Sequence, residues 1–113
     1  MIDKRRFYIN GAWVDPIVMN DFEVINPSNE QSYAVISLGS KKDVDLAVNA
    51  AKKAFFTWSQ INKEEKINLL EKLLKIYKSR WNEITQTMSE EMGAPLDWSS
   101  SAQTSSGADH IND

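Results

Sequence analysis

Between Lys63 and Ser79 the apolar residues fall in two adjacent rows rather than one. Ile67, Leu70, Leu74 and Tyr77 recur at spacings of three and four, and Leu69, Leu73 and Ile76 form a second row beside them. One neighbouring element covers a single helical stripe. An arc this wide has to be packed from more than one side. A chain that carries such a helix is therefore built in layers around it. The start of the helix is well marked. Asn62 can accept a backbone N–H, and Glu64 and Glu65 suit the positive end of the helix dipole.

A helix over 41–58 precedes it. Ser40 and Asp43 have the spacing of a capping box, and Val44, Ala47, Val48, Ala51 and Phe55 share one face. Ala50 and Ala54 keep the adjoining surface small, so another element can approach closely. A third helical stretch, 80–92, carries Trp81, Ile84, Met88 and Met92; Gly93 then gives a left-handed stop, and Pro95 follows. From Leu96 to Asp113 the Ser and Thr content suggests a loop. Leu96, Ala102, Ser106 and Ile111 could also mark one side of a polar helix, with Pro95 at its first turn. The expectation is a helix over 96–113 whose packing partner lies outside the chain.

Residues 7–37 are strand-like. Phe7-Tyr8-Ile9 and Ala12-Trp13-Val14 flank Asn10-Gly11, the strongest short hairpin signal. Asp15-Pro16 ends the second strand. Phe22 to Asn26 and Tyr33 to Ile36 flank a turn-rich Asn26-Pro27-Ser28-Asn29-Glu30. These make a β-hairpin region over 7–37 that is marginal without further layers. The spacing of Trp13, Trp58 and Trp81 fits core packing.

Little catalytic chemistry is present. The chain has no Cys, so it offers no thiolate nucleophile, disulfide or thiolate metal site. The single His110 has no orienting partner evident in the sequence, and the serines form no Gly-x-Ser-x-Gly arrangement. Gly11 and Gly39 sit in turns, and neither belongs to a dinucleotide fingerprint or a P-loop. A formal charge of -3 argues against nucleic acid as a partner, and Lys4-Arg5-Arg6 is a small solvated patch. No apolar run is long enough to span a membrane, and the first residues lack a secretory pattern. The expected location is cytoplasmic.

The order of these segments resembles the NAD(P)-dependent aldehyde dehydrogenase family. Phe7-Tyr8-Ile9-Asn10-Gly11-Ala12-Trp13-Val14 is similar to that family's opening hairpin, and Phe22 to Glu30 to its next element. Asp43 to Phe55, with Trp58 after it, resembles its first helix. Glu65 to Leu74 resembles the next, and Glu90-Glu91-Met92-Gly93-Ala94-Pro95-Leu96 its Glu-x-Gly-Lys-Pro turn, with Ala94 at the usual Lys position. The resemblance implies an α/β fold: the N-terminal part of a cofactor domain, with peripheral β-hairpins, three or four packed helices and no parallel Rossmann-type sheet in this segment. It implies about one quarter of a full-length member. The parent would oxidise an aldehyde to an acid with NAD or NADP through a cysteine hemithioacetal, as a homodimer or homotetramer.

By the same resemblance the catalytic and cofactor-binding residues lie outside these 113 residues. The segment alone is expected to bind no cofactor and to be inactive. Some members hold a monovalent cation near the Asn-Pro strand and the acidic residue before the Gly turn. This carries over to the Ile25 carbonyl and Glu91. The competing reading is a small stand-alone helical module whose wide apolar arc binds a partner helix.

Overall fold

The computed structural model describes all of residues 1–113. The chain divides into two compact units, residues 1–25 with 31–60, and residues 26–30 with 61–113.

The first unit holds β1 (Ile2–Lys4), β2 (Phe7–Ile9), β3 (Ala12–Val14), most of β4 (Asp21–Asn26), β5 (Gln31–Ser37) and α1 (Lys41–Trp58). β2 and β3 pair antiparallel, Tyr8 opposite Trp13, with ring centroids 5.3 Å apart. Asn10 (φ 54°) and Gly11 (φ 77°) both take the left-handed conformation that a tight hairpin turn requires. The other sheet has the order β1-β5-β4. Its β1 runs parallel to β5, with Ile2 opposite Ala34 and Lys4 opposite Ile36. This corrects the expectation of a segment without parallel pairing: the sheet is mixed. Ile2-Asp3-Lys4 has no apolar alternation to announce a strand. It is recruited by the free edge of β5, a long-range effect that local propensity does not carry. Arg5 fixes its exit by pairing with Asp3 at 2.7 Å and Asp21 at 3.1 Å, and Arg5 holds the Asp3 carboxyl down at about 2.

α1 turns its small side toward the hairpin. Ala47, Ala50, Ala51 and Ala54 line a groove with residues Tyr8 to Gly11. The bulky members of the expected core stripe stay outside: Val44, Val48 and Phe55 are all exposed. Trp13 and Trp58 are exposed too, which corrects their assignment to a core. Trp81 is half-buried.

The second unit contains α2 (Lys63–Ser79), α3 (Trp81–Met92) and a continuous helical run from Leu96 to Asn112. That run begins as the single turn α4 (Leu96–Trp98), widens into a π-helical segment over Ser99–Thr104, and ends as α5 (Ser105–Asn112). The unit has a small, polar centre. Ser99 and Thr104 are fully buried, and the apolar residues buried in the whole chain are Ala34 and Ala108.

The accessible surface is 8759 Å². A compact protein of this mass exposes about 6,300 Å², and two separate compact halves would expose about 7,600 Å² together. Even on the second basis the chain carries unburied surface that a self-sufficient domain would have covered.

Candidate functional site

Two turns meet inside the second unit. The first, Asn26 to Glu30, is an Asx turn: Asn26 Oδ1 accepts from the Ser28 N–H at 2.9 Å, and the Asn26 carbonyl accepts from the Glu30 N–H at 2.8 Å. The second ends α3. Gly93 takes φ 69°, its N–H donates to the Ser89 carbonyl at 2.9 Å, and Ser89 Oγ donates to the Ala94 carbonyl at 2.7 Å. A Cβ on Gly93 would lie 2.8 Å from Pro27 Cγ and 3.4 Å from Ser28 Oγ. Only glycine allows the backbone both to turn left-handed and to pass so close. The Asn-Pro and Gly-x-Pro turns are thus brought into contact.

Beside them, α3 is fastened to the π-helical segment by hydroxyls. Thr85 and Thr104 share a hydrogen bond of 2.9 Å, and Ser99 Oγ donates to the Thr85 carbonyl at 3.0 Å. Trp81 Nε1 donates to Ser100 Oγ at 2.9 Å, and Tyr77 Oη to the Thr104 carbonyl at 3.0 Å. A π-helical turn shifts the backbone register and leaves carbonyls without their usual partners. Serine hydroxyls take some of them: Ser101 Oγ donates to the Asp97 carbonyl at 2.7 Å, and Ser105 Oγ to the Ser101 carbonyl at 2.6 Å. The Ser/Thr run that resembles a loop in composition is therefore helical, and its buried members Ser99 and Thr104 fasten it to α3.

In the first unit the polar anchor is Asp43, only 4 % exposed. Its carboxylate accepts from Ser40 Oγ at 2.6 Å, from the Ser40 N–H at 2.8 Å and from the Ile17 N–H at 3.0 Å. The Ser40 hydroxyl first, then the Ile17 and Ser40 amides, hold its pKa below the ordinary value. Ser40 and Asp43 complete a reciprocal capping box, and Asp43 also ties the loop before β4 to the start of α1.

Ile25 lies exposed in β4, next to the Asn26 turn, and Glu91 lies exposed in the last turn of α3, two residues before Gly93. No three carboxylate or imidazole groups gather around a point that could hold a metal ion. His110 is exposed in the last turn of α5. The residues do not fit a dinucleotide: the glycines stand singly, in turns or within α5, rather than as a phosphate-binding loop. The arrangement clamps backbone to backbone. Sequence reasoning passed over Gly107. A Cβ there would lie 2.9 Å from Tyr77 Cζ. Its one signal was a glycine set in an otherwise helix-compatible polar stretch.

The aldehyde dehydrogenase family model matches residues 13–113. A 3-succinoylsemialdehyde-pyridine dehydrogenase from a Pseudomonas species is 47% identical over 96 residues, which are 85% of this chain and 20% of that protein. The crystal structure of an aldehyde dehydrogenase from Bartonella henselae is 51% identical, with a TM-score of 0.97, covering 99% of this chain and 24% of that one. A mutant of aldehyde dehydrogenase C from Pseudomonas syringae, crystallised with NAD+ and octanal, is 33% identical with a TM-score of 0.94 over 96% of this chain and 22% of that one. The chain thus spans between 20% and 24% of the length of these relatives. With the family model matching residues 13–113 and the Bartonella henselae structure superposing over 99% of the chain, this chain belongs to the aldehyde dehydrogenase family.

Proposed function

We propose that these residues are the amino-terminal part of the cofactor domain of an enzyme that oxidises an aldehyde to a carboxylic acid with NAD+ or NADP+. In the parent protein a cysteine thiolate attacks the carbonyl and the hemithioacetal passes hydride to the nicotinamide. This stretch supplies scaffold: a helical layer and hairpins on which that chemistry rests. The observation that carries the reading is the pairing of a family match over residues 13–113 with the complete absence of cysteine. On this reading the nucleophile lies elsewhere in the polypeptide.

The reading includes a monovalent cation taken by the Ile25 carbonyl and the Glu91 carboxylate, a homodimeric or homotetrameric parent, and a cytoplasmic location. No helix of the chain is long and apolar enough to cross a membrane, and nucleic acid is not among the partners proposed. The test is kinetic. The parent protein should reduce NAD+ or NADP+ in the presence of an aldehyde, and the purified 113-residue chain should not. Saturable turnover by the short chain above a heat-denatured control would overturn the structural role assigned to it.

A further inference from the structure

The turn between β2 and β3 sets an amide side chain beside a free backbone amide. Ile9 pairs with Ala12, so Asn10 and Gly11 alone form the loop. Both are exposed. The Asn10 carboxamide makes no hydrogen bond, and the Gly11 N–H donates to no carbonyl. A Cβ added to Gly11 would meet nothing within 4 Å, so the space beside its nitrogen is open. Of the nine asparagines in the chain, Asn10 alone precedes a glycine. Asn26 precedes Pro27, whose nitrogen has no proton to give up. Each of the others precedes a residue whose Cβ crowds its own nitrogen.

We propose that Asn10 is a site of spontaneous covalent modification, deamidated through attack by the Gly11 nitrogen, and that the main product dismantles the hairpin. A bond forms between Gly11 N and Asn10 Cγ, and the carboxamide C–N bond breaks. The side-chain nitrogen leaves as ammonia, carrying the proton that the Gly11 nitrogen gives up. Water then opens the five-membered imide at one of its two carbonyls, and nothing is oxidised or reduced. Ring closure requires the turn to loosen. Only the pairs Phe7–Val14, Tyr8–Trp13 and Ile9–Ala12 resist this, and a hairpin so short opens readily. The two products differ in effect. Aspartate keeps the backbone, suits the same turn and adds one negative charge. Isoaspartate adds a methylene group to the main chain of a two-residue loop. Ile9 and Ala12 then lose their register, and with it goes the Tyr8–Trp13 ring contact.

The test is to age the folded parent protein at neutral pH in heavy-oxygen water and digest samples with trypsin in ordinary water. Heavy oxygen marks conversion that took place before digestion. Cleavage after Arg6 and Lys41 releases one peptide that carries Asn10, Asn20, Asn26 and Asn29, and fragmentation shows which of them has changed. Asn10 should convert at least about tenfold faster than any other asparagine, with isoaspartate exceeding aspartate. Gly11→Asn keeps a residue that tolerates positive φ but restores a Cβ, and should slow conversion at least about tenfold. Conversion only in urea, or in the 113-residue chain but not in the parent, would show a turn that is held or covered and would overturn the proposal. Aspartate without isoaspartate, or an unchanged rate in Gly11→Asn, would rule out attack by the Gly11 nitrogen. The structural effect is read against Asn10→Asp, which has the charge of the aged protein and an unaltered backbone. The aged protein should unfold at lower denaturant than Asn10→Asp; equal midpoints would overturn the loss of the hairpin. None of these readouts depends on aldehyde oxidation.

Discussion

Gly93 and Gly107 show how much of this structure rests on missing side chains. Gly93→Ala adds a Cβ 2.8 Å from Pro27 Cγ at a φ of 69°. The left-handed conformation and the overlap together should cost about 2–4 kcal/mol, read as a lower denaturant midpoint in the parent protein. Gly107→Ala drives a methyl group into the Tyr77 ring and should cost about 1–3 kcal/mol. The effect should shrink in a Tyr77→Phe background, because the hydroxyl is among the atoms that the methyl meets; strict additivity in the double-mutant cycle would rule this contact out as the cause. Asp43 gives a pH signature. Its folded pKa is depressed below the ordinary 3.8, so its contribution is complete above the unfolded value and is lost as pH falls through the folded one. Asp43→Asn should lower stability at neutral pH, and the difference from the parent should narrow as pH drops below about 4. Gly93 was legible in the sequence because helix stops have a local signature. The closeness of Pro27 to Gly93, and of Tyr77 to Gly107, was not, since each contact joins residues distant along the chain.

At the scale of elements, helix starts were the most legible feature because caps are local. Ser40 accepts from the Asp43 N–H at 3.3 Å, and Asn62 Oδ1 accepts from the Glu65 N–H at 2.8 Å. Asn62→Ala should cost about 1 kcal/mol, seen as a reduced denaturant midpoint with little change in slope. Faces were less legible than starts. Val44, Val48 and Phe55 share a stripe by spacing, yet the hairpin approaches the alanine side of α1, where a backbone can come close. Periodicity identifies an apolar face without saying which neighbour reaches it. β1 was missed because its strand character comes from β5. The π-helical segment was missed because its serines are as common in loops as in buried hydroxyl networks. That network is testable. Thr104→Val keeps the shape but strands the buried Thr85 hydroxyl, and should cost about 1–3 kcal/mol. Thr85→Val with Thr104→Val removes both partners and should recover much of that loss. A double variant as unstable as the sum of its singles would show that the hydroxyl pair is not coupled.

On the scale of the whole molecule, the deciding quantity is area. An extended chain of this mass exposes about 18,700 Å², of which a compact fold would bury about 12,400 Å². With 8759 Å² still accessible, folding this chain alone buries about 10,000 Å², some fifth less than a compact fold. The denaturant slope scales with the surface exposed on unfolding. The isolated chain should therefore show a urea m-value about a fifth below that of a compact domain of equal length. The deficit is largely apolar: Phe55, Phe56, Leu73, Ile76 and Trp98 are all exposed. A hydrophobic dye such as ANS should bind the short chain, and the parent protein should bind far less of it per copy of this stretch. The two readouts separate two explanations of weak folding. A chain that is merely loosened, but would bury the same area when well packed, has dye binding suppressed by stabilising osmolytes. A chain whose partner surface is absent keeps its dye sites under those conditions, because no internal rearrangement can cover α2 on both sides. The second outcome is expected, and a short chain with a full m-value and no dye binding would refute it.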